Sequence, residues 1–501
     1  MHHILDRSIV LLDARWASWR TFAPLMWVAL LLAFAPYQSL TRDLWTDEAF
    51  TVSYTAYPSL GMVLDDVRKN EQTPPAYFTL SWLWSQVAGQ SEIAQRLLSL
   101  LFGALAVASL AGMAQRWLAP AEARMAGYLL AVLTPVGIYI VTARSYAFML
   151  LMAVICIAAF EWLYRRPTHI PALVTYSVVM GVFCLTSYFA AAFIVAHNLI
   201  WAVGLLLRRA GWPQRLLGWS IAQVGIVLIV LPWLPTLAYQ FKAARFVTAT
   251  ENITAADYFW QLYSLLAAPP ASLLWLVIWL PLTVLLWALI VISLRQSGAR
   301  DGGLVLRAFG VPLITQMCLI IWMQAVGWRY LTVLLPGAAL AVALGLGALR
   351  RQAPRLGQVL LVALVLGMLV YRIFGVPAPN TARSWPELVA VVEGQIDPAR
   401  DAVLIHPPWE QRTFESYYHG APLKLYGAHN YDDFFMTEGH DFSTPWTVEQ
   451  ASKALAGSRR AWVFFYQTNR ITALRLPYKV LDRWQSGKLE LVLYDMSAAQ
   501  P

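Results

Sequence analysis

Long apolar runs separated by short polar segments fill the chain as far as about residue 375. A helix needs about 20 mostly apolar residues to cross the hydrocarbon core of a bilayer. Runs of about that length predict eleven membrane-spanning helices, near residues 21–40, 97–117, 121–141, 145–163, 169–186, 188–207, 215–236, 271–294, 308–326, 331–349 and 356–375. The pattern therefore predicts a mainly α, polytopic membrane protein.

One further apolar run, residues 74–88, has only 15 residues. That length suits a helix lying in the membrane interface better than one that crosses it. Counting the run as a span would also put Arg165 and Arg166 on the outside, against the tendency of Lys and Arg to stay in cytoplasmic loops. We therefore expect residues 74–88 to be an interfacial segment within a first outer loop, residues 41–96.

Beyond residue 375 the composition changes, and charged residues become more frequent. Short runs of β-branched and aromatic residues predict strands there, and the segments between them predict helices. The predicted strands are 403–406, 462–466 and 489–494, and the predicted helices are 384–394, 411–419 and 448–456. Residues 376–501 are therefore expected to form a small α/β domain outside the membrane.

The amount and distribution of charge support this topology and orient it. Only 13% of the residues are charged, against about 25% in soluble domains, which excludes a soluble fold for most of the chain. The net charge is +9, and arginines concentrate in every second loop, as the positive-inside rule predicts for cytoplasmic loops. Residues 1–20 are then a cytoplasmic tail, and residues 376–501 are extracytoplasmic. No basic stretch is interleaved with exposed aromatics, so nucleic acid is not expected as a partner.

Several polar residues then fall on the outer face, at the ends of spans or in the first outer loop. They are Asp47, Glu48, Glu71, Arg144, Tyr146, Arg329 and Tyr330. A carboxylate can take a proton from an attacking hydroxyl, and an arginine can neutralise a phosphate as it leaves. Carboxylates and isolated arginines on one face therefore indicate transfer chemistry with a phosphate leaving group.

Five local motifs follow one another along this face. They are Trp45-Thr-Asp47-Glu48-Ala49, Pro74-Pro75 followed by aromatics, Gly89 to Leu97, Leu133-Thr-Pro135 leading into Ala143-Arg144-Ser-Tyr146, and Arg329-Tyr330-Leu331 before Pro336. In this order they resemble the polytopic GT-C glycosyltransferases, in particular the group of protein mannosyltransferases, lipid A aminoarabinose transferases and lipopolysaccharide-core sugar transferases. The resemblance is strongest over residues 20–165, and residues 21–375 would be the GT-C-like catalytic domain.

The resemblance implies an activity and a location. The activity is transfer of a hexose or pentose from a polyprenyl-phosphate donor to an acceptor hydroxyl, with inversion at the anomeric carbon. The acceptor would be a lipid, a polysaccharide or a protein of the cell envelope. The protein would sit in the bacterial inner membrane, surrounded by membrane lipids, with its active site facing the periplasm or exterior.

The resemblance also assigns roles by motif position. Asp47 matches the catalytic base and Glu48 a neighbouring catalytic carboxylate, while Glu71 matches a second acidic position near the acceptor or an optional divalent metal. The donor-phosphate contacts fall on Arg144, Tyr146, Arg329 and Tyr330. Relatives often have a histidine before the Pro-Pro pair, but Thr73 stands there in this chain. No metal ligand is therefore assigned, and no cofactor follows with certainty from the sequence.

Other interpretations of the same residues stay open at this point. Asp47 and Glu48 could cap a helix N-terminus, and Arg144 and Arg329 could anchor spans at the headgroups. A transporter or flippase would also have many spans, but it predicts charges near the middle of spans and inverted repeats. A lipid-polymer ligase or polymerase of another fold, or an inactive scaffold or sensor, completes the alternatives.

Overall fold

The computed structural model describes residues 38–207, 211–247, 253–296, 303–325, 327–375, 384–427, 446–466 and 474–499. The predicted tail, residues 1–20, and nearly all of the first predicted span, residues 21–40, lie outside the described residues. Within them the protein is mainly helical, with a small sheet towards the C-terminus. This architecture agrees with the predicted fold class.

The helices before the sheet follow one another with short connections. They are α1 (Gln38–Thr41), α2 (Thr46–Thr55), α3 (Leu60–Asn70), α4 (Ala76–Ala88), α5 (Glu92–Ala114), α6 (Pro120–Val132), α7 (Thr134–Tyr139), α8 (Tyr146–Arg165), α9 (Ile170–Cys184), α10 (Ala191–Leu207), α11 (Trp212–Val230), α12 (Leu234–Val247), α13 (Ala255–Tyr263), α14 (Leu276–Gln296), α15 (Val311–Trp322), α16 (Leu335–Gln352) and α17 (Pro354–Val370). Short 3-10 or π-helical turns extend several of them, among them the turn Trp328–Leu334 before α16.

Eight helical segments of the described residues are long and apolar enough to cross a membrane. They are Glu92–Ala114, Tyr146–Arg165, Tyr188–Leu207, Trp212–Gln240, Leu273–Arg295, Gly303–Trp322, Arg329–Gln352 and Pro354–Gly375. The apolar helix α9 is shorter, at 15 residues, and corresponds to the predicted span 169–186. These nine segments match nine of the predicted ones, while the count of eleven and the orientation in the membrane stay predictions.

The predicted span 121–141 is not one continuous helix. The chain leaves the helical conformation at Leu133, which separates α6 from α7. Pro135 has no N–H group and cannot donate to the carbonyl of Ala131 four residues earlier. The Arg372 guanidinium donates to that carbonyl instead, over 3.0 Å. The proline therefore divides this segment, and an arginine from the end of the last span satisfies the carbonyl that the proline leaves open.

The segment predicted as the first outer loop is more regular than the sequence predicts, because it contains three helices, α2, α3 and α4. The last of these corresponds to the predicted interfacial segment 74–88 and has 13 residues. Its buried face packs Phe78 edge-on against Tyr54 of α2, with ring centroids 5.3 Å apart. Tyr77 is hydrogen-bonded to Ser99 of α5 over 2.8 Å. The loop is thus packed onto the spans, and its position at the membrane interface stays a prediction.

Helix α16 packs among the other helices of the bundle and is buried continuously from Leu335 to Ala348. Two glycines allow its neighbours to approach closely. A Cβ atom at Gly337 would lie 2.1 Å from the carbonyl oxygen of Ala308, and one at Gly345 would lie 1.9 Å from that of Leu289. Any larger residue would force backbone apart at these positions. The close packing fixes α16, and with it the turn Trp328–Leu334 that carries Arg329 and Tyr330.

A five-stranded sheet forms the centre of the C-terminal domain. Its strands are β1 (Ala402–His406), β2 (Lys424–Tyr426), β3 (Arg460–Tyr466), β4 (Tyr478–Ser486) and β5 (Leu489–Ala499), in the order β2-β1-β3-β5-β4. β1 is parallel to β2 and β3, with Ala402 opposite Ala461, whereas β5 is antiparallel to β3 and β4. Three helices accompany the sheet, namely α18 (Ser384–Gln395), α19 (Gln411–Tyr417) and α20 (Val448–Leu455).

Residues alternate between the two faces of the sheet, as the period of a strand requires. On one face Phe464 packs with Phe414 of α19 and Trp385 of α18. On the other face Val463 packs with Leu455 of α20. The predicted strands and helices of this domain all form, with ends that differ by up to five residues. Strands β2 and β4 were not predicted, because β2 is only three residues long and β4 is largely exposed.

Candidate functional site

The first turn of α2 carries both Asp47 and Glu48. Negative charge is favourable at a helix N-terminus because unpaired N–H groups and the helix dipole point there. Glu48 Oε2 accepts a hydrogen bond from the backbone N–H of Trp45, the N-cap residue, over 3.5 Å. Successive helical residues point about 100° apart, so the two carboxylates face different surroundings.

Glu48 faces the interior and is fully buried. Its Oε1 accepts from Arg96 Nε over 2.9 Å and from the Ala143 N–H over 2.8 Å. Its Oε2 accepts from Arg96 Nη2 over 2.7 Å and lies 3.0 Å from Arg42 Nη1. Burial alone would raise the pKa of the Glu48 carboxyl, but Arg42 and Arg96 outweigh burial and lower that pKa below its ordinary value. Glu48 therefore joins α2 to α5 and to the turn before α8.

Arg96 is a residue of this site to which the sequence assigned no role. It is fully buried in α5, and each of its five N–H bonds has an acceptor. Two go to Glu48, and the other three go to the carbonyls of Leu40, Arg42 and Asp43. The available signal was a charged residue directly before an apolar run, within the motif Gly89 to Leu97. Arg96 thus holds the segment that leads from the first predicted span into α2.

Asp47 faces the open side of α2. Its Oδ2 accepts from Arg329 Nη1 over 2.9 Å and from the Tyr146 hydroxyl over 3.3 Å. The Asp47 side chain is 29% exposed and that of Arg329 is 35% exposed. The carboxylate and the guanidinium are therefore both accessible to a molecule entering from this side.

Arg144 and Glu71 form a second ion pair behind Asp47. Arg144 Nη1 lies 2.9 Å from Glu71 Oε1, and Nη2 lies 3.4 Å from Oε2. Nη1 also donates to the Asp47 carbonyl over 3.2 Å, and the guanidinium lies over the Phe78 ring, 5.4 Å from its centroid. Both side chains are less than a tenth exposed. Burial raises the pKa of the Glu71 carboxyl, although Arg144 acts in the opposite direction.

Aromatic rings border the open side. The Arg329 guanidinium lies over the Tyr330 ring, 5.0 Å from its centroid, and Tyr330 packs against Phe189 with centroids 4.5 Å apart. The Tyr146 and Tyr139 rings meet edge-on at 4.9 Å. The structure therefore brings all the predicted site residues together. Contacts run from Asp47 to Arg329 and Tyr146, from Arg329 to Tyr330, and from Arg144 to both Glu71 and the Asp47 backbone.

Glu71, which the resemblance places near the acceptor or an optional divalent metal, is not part of a metal site among the described residues. Both oxygens of Glu48 and both oxygens of Glu71 face arginine N–H groups, and Asp47 Oδ2 does as well. Over the described ranges, no three His, Cys, Asp or Glu side chains are grouped so that they could hold a metal ion. The residues present thus do not fit a metal, and no step of the chemistry is assigned to one.

The C-terminal domain also reaches the site. Glu410 Oε1 accepts from the hydroxyl of Thr46, the residue before Asp47, over 2.6 Å. The Tyr417 hydroxyl accepts from the Leu44 N–H over 2.8 Å. These contacts were not predicted, since the sequence gives no sign of which part of this domain faces the spans.

Solved structures with the same fold are known. ArnT from Cupriavidus metallidurans, bound to undecaprenyl phosphate, superposes with a TM-score of 0.61 over 97% of this chain and 100% of its own, at 16% identity. The oligosaccharyltransferase AglB from Archaeoglobus fulgidus, in complex with an inhibitory peptide and a dolichol-phosphate, gives 0.54 over 88% of this chain and 69% of its own, at 12% identity. ArnT and AglB are both GT-C glycosyltransferases. This chain has the GT-C fold.

A third similar structure is the arabinofuranosyltransferase AftD from Mycobacteria. It gives a TM-score of 0.51 over 97% of this chain and 42% of its own, at 13% identity. No family model and no curated protein sequence matches the chain. The predicted resemblance to GT-C enzymes is therefore confirmed at the level of the fold.

Proposed function

We propose that this GT-C-fold protein is an integral membrane glycosyltransferase that moves a sugar from a polyprenyl-phosphate donor to an acceptor hydroxyl. The observation that carries the proposal is the open pair of Asp47 and Arg329, a carboxylate and a guanidinium joined over 2.9 Å and both accessible. The fold, shared with glycosyltransferases solved with undecaprenyl phosphate or a dolichol-phosphate, favours this activity over a transporter, or a ligase of another fold.

In the proposed reaction, Asp47 is the base and the carrier phosphate is the leaving group. The acceptor oxygen forms a bond to the anomeric carbon while its proton passes to the Asp47 carboxylate. The bond from the anomeric carbon to the phosphate oxygen breaks, and the phosphate leaves with the electron pair. Arg329 neutralises the charge that develops on it. Attack and departure on opposite sides give inversion.

Because Arg329 contacts Asp47, binding of the donor phosphate and the availability of the base depend on each other. Before the donor binds, Arg329 is held by Asp47. A carrier phosphate is negatively charged like the Asp47 carboxylate and would compete with it for Arg329, and the pairing of guanidinium with phosphate is strong. Donor binding would thus take Arg329 away from Asp47 Oδ2, and that oxygen, which still accepts from the Tyr146 hydroxyl, could then take the acceptor proton. The donor would then bind before the acceptor reacts.

The other predicted site residues receive more specific roles in this proposal. Arg144 is buried and engaged by Glu71 and by the backbone of Asp47, so we assign this pair to holding α2 rather than to phosphate or acceptor binding. Glu48 likewise supports α2. Tyr146 directs Asp47, and Tyr330 supports Arg329. The site faces the periplasm of the bacterial inner membrane in this proposal, and the acceptor is an envelope lipid, glycan or protein.

The Asp47→Asn variant tests the assignment of the base. It should transfer no sugar from a polyprenyl-phosphate sugar, because an amide cannot take the acceptor proton. Its affinity for undecaprenyl phosphate in nanodiscs should equal or exceed that of the wild type, because Arg329 is no longer held by a carboxylate. Arg329→Ala should weaken that binding, by about 10- to 150-fold if one charged hydrogen bond of 1.5–3 kcal/mol is lost.

Asp65→Asn, which changes an exposed carboxylate of α3, serves as the control and should behave like the wild type. Wild-type turnover in Asp47→Asn would rule out Asp47 as the base. Unchanged binding of undecaprenyl phosphate in Arg329→Ala would rule out the phosphate contact.

A further inference from the structure

Three hydrogen bonds, here called the docking bonds, join the C-terminal domain to the residues directly before Asp47 of α2. The Trp385 N–H donates to Asp43 Oδ2 over 3.0 Å, the Leu44 N–H donates to the Tyr417 hydroxyl over 2.8 Å, and the Thr46 hydroxyl donates to Glu410 Oε1 over 2.6 Å. A salt bridge between Arg412 Nη2 and Asp66 Oδ2, at 3.3 Å, adds a contact to α3. The docking bonds are spread over residues 43–46, directly before Asp47.

Glu410 is the carboxylate that the C-terminal domain contributes to the docking bonds. It is 5% exposed, and its second oxygen accepts from the Thr413 hydroxyl over 2.9 Å. Burial raises the pKa of the Glu410 carboxyl, and the nearby negative charge of Asp47 adds to that rise. Burying a carboxylate is costly unless it is hydrogen-bonded. Both of its oxygens are satisfied by threonine hydroxyls, one of them from the segment that carries the base.

Thr46 transmits this contact to Asp47. It is the first residue of α2, and Asp47 is the second. A shift of the first helical turn would change both the position and the direction of the Asp47 carboxylate. Displacements of about 1 Å can lower a rate by about a hundredfold, because the reacting groups must be aligned.

We propose that Glu410 is a positioning residue for Asp47, which it aligns by accepting the hydrogen bond of Thr46. The inference rests on the proposed function, and it makes the C-terminal domain part of the catalytic unit. Glu410 itself is too enclosed to meet an acceptor, since both of its oxygens face threonine hydroxyls and Asp47 holds the exposed position.

Thr46 offers a test that changes one hydroxyl and little else. Thr46→Val removes the hydrogen bond while keeping the shape of the side chain, and Thr46→Ser keeps the hydroxyl. Glu410→Ala removes the acceptor from the other side. Glu449→Gln changes an exposed carboxylate of α20 in the same domain and is the matched control. All four are purified as full chains in nanodiscs, and kcat and donor KM are measured alongside their melting temperatures.

Thr46→Val should lower kcat by about ten- to a hundredfold, with donor KM close to the wild type and only a modest fall in melting temperature, because Glu410 keeps its hydrogen bond from Thr413. Glu410→Ala should lower kcat at least as much. Thr46→Ser and Glu449→Gln should stay within about twofold of the wild type, a change too small to reflect misalignment. A purely structural role would instead lower the melting temperature and leave the kcat of the folded protein unchanged, and that result would overturn the proposal, as would equal kcat losses in Thr46→Ser and Thr46→Val.

Hydrogen exchange separates this inference from the proposed function. The amides of residues 44–49 should exchange faster in Thr46→Val and Glu410→Ala than in the wild type, and at the wild-type rate in Glu449→Gln. A wild-type protein without transfer activity would refute the proposed function. Unchanged exchange in both test variants would refute the positioning by Glu410, whatever the activity of the wild type.

Discussion

The two sides of α2 hold their ion pairs in different surroundings. On the inner side Glu48 meets Arg96 with neither side chain exposed, whereas on the open side Asp47 and Arg329 are about a third exposed. Charges lose their hydration when buried, so a buried pair is stable only when every polar atom has a partner. A pair that is a third exposed is partly screened by water and contributes less to stability. The inner pair therefore holds the helix, and the open pair is available for chemistry.

The largest effect is expected from breaking the inner pair. Arg96→Met leaves Glu48 with Arg42 as its remaining cationic partner and removes one hydrogen-bond donor from each of three backbone carbonyls. Removing one partner of a buried pair typically costs about 3–5 kcal/mol. Thermal unfolding in detergent should show a large drop in melting temperature. An unchanged melting temperature would contradict the framework role of Arg96.

Measuring stability against pH should distinguish the two buried carboxyls, because acid is expected to change the stabilising contributions of Glu48 and Glu71 in opposite directions. The pKa of Glu48 is lowered in the folded protein, so its stabilisation is present above the ordinary glutamate pKa and is lost as the pH falls towards the folded value. The pKa of Glu71 is raised, so its contribution is complete below the ordinary pKa and is lost as the pH rises through the folded value.

The variants Glu48→Gln and Glu71→Gln measure these two contributions. Compared with Glu48→Gln, the wild type should lose its advantage in melting temperature as the pH falls below the ordinary glutamate pKa. Compared with Glu71→Gln, the wild type should lose stability as the pH rises from that value towards neutrality. If stability relative to Glu48→Gln and relative to Glu71→Gln changed with pH in the same direction, the opposite pKa shifts of the two carboxyls would be contradicted.

The smallest effect is expected from an exposed pair of the first outer loop. Asp65 and Arg68 lie 2.8 Å apart on α3, with side chains 65% and 48% exposed. Such a pair contributes about 0.3–0.5 kcal/mol. Asp65→Asn should therefore leave the melting temperature nearly unchanged, and a loss as large as that of Arg96→Met would remove burial as the explanation of the difference.

Local patterns in the sequence were sufficient to predict most of the helices and strands. Apolar runs of the right length predicted the long helices, and short runs of β-branched and aromatic residues predicted β1, β3 and β5, because burial leaves a trace of apolar residues in the sequence. The break at Leu133 was missed, although Pro135 was visible in the sequence. Strand β4 was missed because an exposed edge strand lacks that trace.

The site could be predicted residue by residue but not pair by pair. Asp47, Arg144 and Arg329 were selected for their place on one face, and the structure brings them together. The sequence did not show that Arg144 is engaged by Glu71. Nor did it show that Glu410 reaches Thr46 across 364 positions. The periodicity of the sequence indicates which side chains are buried. Which arginine pairs with which carboxylate depends instead on how distant segments of the chain pack together.

The docking bonds have a consequence for the timing of biosynthesis. Ribosomes make a chain from its N-terminus, and domains fold largely in that order. Thr46 and Asp47 therefore leave the ribosome long before Glu410 and Tyr417 exist. Throughout translation of the intervening helices, the nascent protein carries its carboxylate without the contacts that hold it from outside. The C-terminal domain is made after the helices that it contacts, so a chain truncated before residue 410 would keep α2 through Glu48 and Arg96 and would lack the hydrogen bonds of Glu410 and Tyr417.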